Sequence, residues 1–236
     1  MELDNKIKNE ISLTMVMFLT FSGGLMDAYS YINRGKVFSN AQTGNLLLLG
    51  VNLSLGNFDL VIHYLMPVLG FIFGIFLAVF FKNILHKRNI YFEIFVLIIE
   101  IMIMIAVMFI PYELNLLATS LLSLACGMQV EAFRRFQNHP IATTMCIGNL
   151  RAGVESLVEF IDKKEKKYIL SSLVYFFIII DFILGAVVGN FLIEWCSIYS
   201  IGFSGVVLFI CLLLLLLKKN EKKIVEKIEN EDLKNN

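Results

Sequence analysis

The sequence predicts an all-α membrane protein with six transmembrane helices, arranged as a 3+3 inverted repeat with a short polar broken or re-entrant segment in each unit. Three observations predict it: long apolar runs, the placement of Lys and Arg between them, and a self-match between the two halves. The 236 residues are 58% hydrophobic, whereas soluble domains are about 45–50% apolar. The formal net charge of zero predicts no nucleic-acid partner, because such proteins carry basic surfaces.

Six apolar stretches have the length of membrane spans, for which about 20 residues are needed. They cover residues 12–32, 60–81, 91–111, 115–133, 169–193 and 198–217. The third and the last are apolar all round, as expected for helices that face lipid. The lipid bilayer is therefore a predicted partner, and the first stretch is expected to remain as a span.

The positions of Lys and Arg predict the orientation. The basic connections contain Lys82, Lys87 and Arg88, the lysines of 163–167, and the lysines of 218–223. The connections 112–114 and 194–199 contain no Lys or Arg. The positive-inside rule then places the N-terminus (1–11) and the charged tail (218–236) in the cytoplasm. Arg34 and Lys36 fall on the outer side and violate the rule.

Two regions must not cross the membrane if this count holds. We call them the first polar region, 37–56, and the second polar region, 141–160. If the second crossed, the lysines of 163–167 would be exported. Each region is therefore re-entrant, interfacial or a broken extension of the preceding helix, and protein or a wet cavity must cover any non-helical backbone at membrane depth.

An internal repeat relates the two polar regions. With a shift of 104 residues and no gap, Gly23 matches Gly127 and Asp27 matches Glu131. The same shift matches SNAQTGN at 39–45, the first polar motif, with TTMCIGN at 143–149, the second polar motif. The predicted units are 12–111 and 115–217. Because each holds three spans, the second unit is inverted, as in many transporters whose sites lie at the repeat interface.

Four carboxyl groups at membrane depth are candidates for ion or proton coupling: Asp27, Glu100, Glu131 and Asp181. Ionisable side chains there usually face the bundle interior or a cavity. Glu131 also has the i,i+3 spacing for an ion pair with Arg134. Each of the four also fits a simple structural hydrogen bond inside the bundle.

The polar motifs supply candidate binding groups. The predicted substrate-binding residues are Asp27, Asn40, Gln42, Thr43, Gly44, Asn45, Glu131, Thr143, Thr144, Gly148 and Asn149. Free N–H groups at the start of a helix favour a polar or anionic ligand, although an ordinary N-cap and turn explain the same pattern. Four glycines in two G-x-x-x-G pairs, Gly70, Gly74, Gly185 and Gly189, predict close helix packing.

The motifs GGLMDAYSY, VFSNAQTGN, GMQVEAFRR and ATTMCIGNLR, in this order between about residues 20 and 155, resemble the YoaK-like family of bacterial integral membrane proteins. The resemblance implies a six-span protein of the bacterial inner membrane, without a settled activity, cofactor or substrate. Ile147 departs from the family pattern, in which Thr commonly precedes Gly-Asn.

The sequence favours a small secondary transporter or solute-conducting protein for an unknown small solute or ion, with proton coupling through Asp27. The alternatives are a passive channel and a non-transporting scaffold or sensor that uses its tail. No enzyme is predicted, because no catalytic set, metal cluster or phosphate loop is visible. No metal and no cofactor are expected, and a homo-oligomer is left open.

Overall fold

The computed structural model describes residues 11–87, 91–136, 139–141, 143–144 and 146–235. Within these ranges the chain forms eight α-helices and two 3-10 turns, Tyr112–Leu114 and Ser197–Ser200. We number the helices α1 (Leu13–Asn33), α2 (Gln42–Ser54), α3 (Phe58–Lys87), α4 (Phe92–Met108), α5 (Asn115–Ala132), α6 (Cys146–Lys163), α7 (Lys166–Cys196) and α8 (Ile201–Asn235). A two-residue antiparallel pairing, Arg135–Phe136 with His139–Pro140, precedes α6.

The six apolar stretches coincide with α1, α3, α4, α5, α7 and α8, and the predicted all-α class is confirmed. Of the predicted N-terminal segment 1–11, only Ile11 lies within the described residues. The charged tail continues α8 as far as Asn235. Two further helices, α2 and α6, fall inside the first and second polar regions.

Three described segments are long and apolar enough to cross a membrane: Phe58–Leu85, Tyr112–Ala132 and Lys166–Glu221. The third runs through both α7 and α8. Helix α4 has only 17 residues, which is near the lower limit of about 17 residues for a span. The six-span arrangement therefore remains a prediction.

The helices pack in pairs that recur between the two halves. Helix α1 packs on α7 and α8, while α5 packs on α3 and α4. The two polar-region helices each pack on the next helix, α2 on α3 and α6 on α7, and α4 packs on α8. If α1, α2, α3 and α4 are exchanged with α5, α6, α7 and α8 in that order, this set of helix contacts stays the same. The main apolar core runs between α1, α4, α5 and α8, where Leu19, Val96, Leu122 and Leu208 are fully buried.

Glycines allow the backbones of the strongest pairs to touch. A Cβ on Gly24 would press on the carbonyl oxygen of Phe182, and one on Gly185 would press on that of Phe21. In the α3–α5 pair, Gly74 lies in the same way against Leu124, and Gly127 lies against Phe71. Gly70 meets Ser120, and Gly189 meets Leu25 and Ala28 less closely. All four predicted packing glycines therefore lie at close helix contacts, as small residues do in membrane bundles.

These contacts align the two halves differently from the sequence match. Gly24, rather than Gly23, has the environment of Gly127, an offset of 103 residues instead of 104. Similarly, Gly74 rather than Gly70 has the environment of Gly185. The contacts identify the glycines that face the backbone of the partner helix. The sequence match takes no account of the helix face on which a residue lies.

Arg34 is fully buried just beyond the end of α1. Its guanidinium donates five hydrogen bonds of 2.8–3.3 Å, to the Tyr29 hydroxyl, the Asn115 side-chain oxygen and the carbonyl oxygens of Val107, Ile110 and Pro111. The three carbonyls belong to the C-terminal end of α4 and the turn after it, where the helix dipole favours a cation. Arg34 is thus a buried structural cap and not a solvated loop charge of the kind that the positive-inside rule counts.

We expect Gly185→Ala to destabilise the fold by about 1–3 kcal/mol, because the new methyl group would meet backbone that cannot move independently. Thermal unfolding of the purified protein in detergent measures the effect. Gly50→Ala is the matched control, since a Cβ at this α2 position meets nothing within 4 Å. Equal unfolding midpoints for the two variants would contradict the close contact of α1 with α7.

We expect Arg34→Lys to lower the free energy of unfolding by about 2 kcal/mol or more. A lysine has three donors on one atom, so it cannot reproduce the fork of a guanidinium, and buried carbonyls would lose charged partners. The control is Arg151→Lys, because Arg151 is exposed and pairs only with Glu155 among the described contacts. A thermal midpoint for Arg34→Lys as high as that of the control would exclude this capping role.

Candidate functional site

The first polar motif is tied to α1 by hydrogen bonds. The chain reverses after α1 at Gly35 and Lys36, whose φ angles are 89° and 62°. The carboxyl Oδ1 of Asp27 then accepts from the Ser39 hydroxyl at 3.2 Å and from the Asn40 backbone N–H at 2.8 Å. Asn40 donates its side-chain amide to the carbonyl of Gly23 at 2.7 Å. Asp27 therefore organises the motif as well as being available to a ligand.

Asn45 fixes the shape of the first polar motif. Its Oδ1 accepts from the Phe38 N–H at 3.1 Å, and its Nδ2 donates to the Phe38 carbonyl at 2.7 Å and to Gln42 Oε1 at 2.9 Å. Gln42 in turn donates to the Ser39 carbonyl and to the Ser123 hydroxyl on α5. Asn45 was predicted as a binding group, but its side chain is used inside the protein.

The second polar motif lies against the first at Gly23. A Cβ there would stand 3.1 Å from the Thr143 carbonyl oxygen and 3.6 Å from Asn40 Nδ2. The Thr143 hydroxyl accepts from Gln129 Nε2 at 3.1 Å. Thr144 is buried, and its side chain lies beside the Cys126 thiol of α5. The absence of a side chain at Gly23 thus allows the two motifs to meet.

Both motifs line one cavity of about 870 Å³. The lining residues from α1 and the first polar region are Asp27, Ala28, Tyr31, Ile32, Phe38, Asn40, Ala41, Gln42 and Thr43. Those from the second are Thr144, Cys146, Ile147 and Gly148, and α7 supplies Phe182, Ile183, Ala186, Val187, Asn190 and Phe191. The volume is within the range of about 300–1,000 Å³ for small-molecule sites.

Six predicted binding residues line this cavity: Asp27, Asn40, Gln42, Thr43, Thr144 and Gly148. The other five are not among its described lining residues: Gly44, Asn45, Glu131, Thr143 and Asn149. Glu131 instead faces α3 and the end of its own helix, where it pairs with Lys82 at 3.8 Å and with Arg134 at 3.4 Å. The ion pair with Arg134 that its spacing predicts is therefore present.

Besides Glu131, two further predicted coupling acids, Glu100 and Asp181, are not among the described lining residues of the cavity. Glu100 is buried in α4, and neither of its carboxyl oxygens has a hydrogen-bond partner within the described part of the chain. Asp181 lies on α7 beside the backbone N–H of Phe21, on the side that packs against α1. Of the four predicted acids, Asp27 lines the cavity.

Sequence reasoning missed the α7 wall and the support from α5. Asn190 is an isolated amide within an apolar run, and it donates to Glu194 at 3.2 Å. Gln129 is a buried amide near the end of α5, and it donates to the Thr143 hydroxyl. Both could have been identified as polar residues inside predicted spans, but nothing in their spacing connects them with the polar motifs.

Comparison with known proteins also indicates a membrane protein. A family model described as "Protein of unknown function (DUF1275)" matches residues 15–214, which include both polar motifs. The UPF0700 transmembrane protein YoaK of Bacillus subtilis (strain 168) is 24% identical over 185 residues, covering 74% of this chain and 81% of the relative. No solved structure matches. The predicted YoaK-like resemblance is confirmed, and the chain is a membrane protein.

We expect Asn45→Ala to destabilise the protein by about 2–3 kcal/mol, because it leaves the Phe38 N–H and carbonyl without their partners. Thermal unfolding in detergent measures this loss. Asn57→Ala is the control, since the exposed Asn57 side chain makes one 3.3 Å bond to Asn52. An unchanged midpoint for Asn45→Ala would show that the first polar motif does not depend on this side chain.

Proposed function

We propose that the chain, which belongs to the DUF1275 family of proteins of unknown function, is a small secondary transporter or solute-conducting protein. The observation that carries this proposal is the shared cavity, because both polar motifs and Asp27 line it. Transporters bind substrates and coupling ions where broken or irregular segments from two repeats meet. The substrate is a small solute or ion, and no enzymatic activity forms part of the proposal.

The proposed topology has six spans in two inverted units, with both termini in the cytoplasm. The exchange of helix contacts between α1–α4 and α5–α8 supports the repeat. Helix α2 has 13 residues and is therefore about 20 Å long, less than the hydrocarbon thickness of about 30 Å. On α6, the exposed pair of Arg151 and Glu155 favours a non-crossing position, because charged side chains are costly in lipid.

Asp27 is the proposed coupling group. It lines the cavity and accepts hydrogen bonds from the first polar motif. A change in its charge would therefore act on the ligand and on the motif backbone together. This double contact gives a physical means of linking ion or proton binding to movement of the motif.

We expect Asp27→Asn to reduce solute-coupled proton movement at least tenfold, because the amide keeps the shape of the side chain but cannot ionise. Proteoliposomes containing a pH-sensitive dye and a fixed membrane potential would be exposed to glycine, glucose, methylammonium and potassium in turn. Asp59→Asn is the control, since Asp59 is an exposed acid in the first turn of α3.

Wild-type flux in Asp27→Asn would remove Asp27 from the mechanism. Flux that does not saturate and ignores the pH gradient would favour the passive channel instead. Absence of flux for all four solutes, combined with loss of cellular function on deleting 219–236, would overturn transport in favour of the scaffold.

A further inference from the structure

The polar end of the cavity offers hydrogen-bond acceptors. Asn40 is fully buried, and its Oδ1 has no hydrogen-bond partner among the described residues. Its orientation is fixed, because the other side-chain atom donates to the Gly23 carbonyl at 2.7 Å and an oxygen in that place would meet another acceptor. Within the described part of the chain, Asn40 Oδ1 is therefore a buried acceptor without a donor, which is costly unless a ligand or water supplies one.

The charge of the described lining residues is a second feature of this end of the cavity. Asp27 lines the same end of the cavity, and the described lining residues include no Lys, Arg or His. Lys36 reaches the ring of Tyr31, at 4.8 Å from its centroid, but does not line the cavity. A ligand that brings both a positive charge and an N–H donor would complement Asp27 and Asn40 together, and charge-assisted hydrogen bonds are the stronger kind.

The rest of the cavity is apolar. Phe182, Ile183, Ala186, Val187 and Phe191 form one wall along α7, and Tyr31, Ile32 and Phe38 continue it. Val187 is 46% exposed and Phe191 is 64% exposed, so the wall extends onto the outer surface of the bundle. An apolar body lying along α7 would bury this wall, and the aromatic rings would also favour a nearby cation.

We propose that the cavity binds an organic monocation with an N–H donor and an apolar body, in other words a hydrophobic ammonium compound. The ammonium group lies between Asp27 and Asn40, and the body lies along α7. This ligand class is proposed for the cavity to which the transport proposal assigns the substrate, and it rests on that proposal. Binding can nevertheless be measured without transport.

Three probes share one apolar body, a phenyl ring with four methylene groups, and differ in charge: 4-phenylbutylammonium, 4-phenylbutanol and 5-phenylpentanoate. Equilibrium dialysis against the full chain in phosphatidylcholine nanodiscs, with empty nanodiscs subtracted, measures their binding. We expect saturable binding of the ammonium probe, at least tenfold tighter than that of the alcohol or the carboxylate. Asp27→Asn should weaken it at least tenfold, whereas Asp59→Asn should not change it.

A second pair of variants tests the place of the apolar body. Val187→Trp should weaken binding of the ammonium probe at least tenfold by filling the cavity. Val79→Trp is the matched control, because Val79 on α3 is 44% exposed, close to the exposure of Val187, and lies outside the cavity. Thermal midpoints of both variants show whether the fold is intact.

The outcomes separate this inference from the transport proposal. Equal binding of the three probes, no saturable binding, or unchanged binding in Asp27→Asn or in a folded Val187→Trp overturns the ligand class. Solute-coupled flux that depends on Asp27 would then still support transport. If the ammonium probe binds selectively and its binding depends on Asp27, the ligand class is supported. If neither this probe nor any other solute then shows flux, the transport proposal is contradicted.

Discussion

The contact of α1 with α7 through Gly24 and Gly185 is the constraint on which the candidate site depends. Gly24 lies against the backbone of Phe182 and Ala186, and both of these residues line the cavity. Gly24 also lies three residues before Asp27 on α1. In lipid, apolar surface alone gives little reason for helices to associate, so close backbone packing has to hold them. The same contact that joins the two halves therefore sets the width of the cavity between Asp27 and α7.

The sequence predicts the helices better than it predicts their register. Six apolar runs coincide with six helices because long runs of apolar residues have few alternatives in a membrane. The sequence match pairs Asp27 with Glu131 through a uniform shift of 104 residues. The glycines with corresponding helix contacts, Gly24 on α1 and Gly127 on α5, are instead 103 residues apart. One residue turns a helix by about 100°, so a sequence match that is displaced by one residue assigns a side chain to the wrong face of its helix.

The site was predictable where polarity stands out against an apolar background. The first polar motif and Asp27 were found in this way, and so was Thr144. Arg34 was misread as a loop charge because counting Lys and Arg assumes that each is solvated. Four of its five hydrogen bonds reach residues 73–81 positions away along the chain, the fifth reaches Tyr29, and no local pattern indicates such a set of partners. Gln129 was missed for the same reason.

The two polar motifs differ in ways that their similar sequences conceal. The first is closed on itself by Asn45, and Gly44 packs under the ring of Phe38. In the second, Ile147 is 78% exposed and Gly148 has open space around it. A closed motif holds its acceptors in place, which suits the preorganised recognition of a charged group. Asp27 is thus bonded to the closed first motif, whereas the exposed Ile147 of the second motif lines the same cavity.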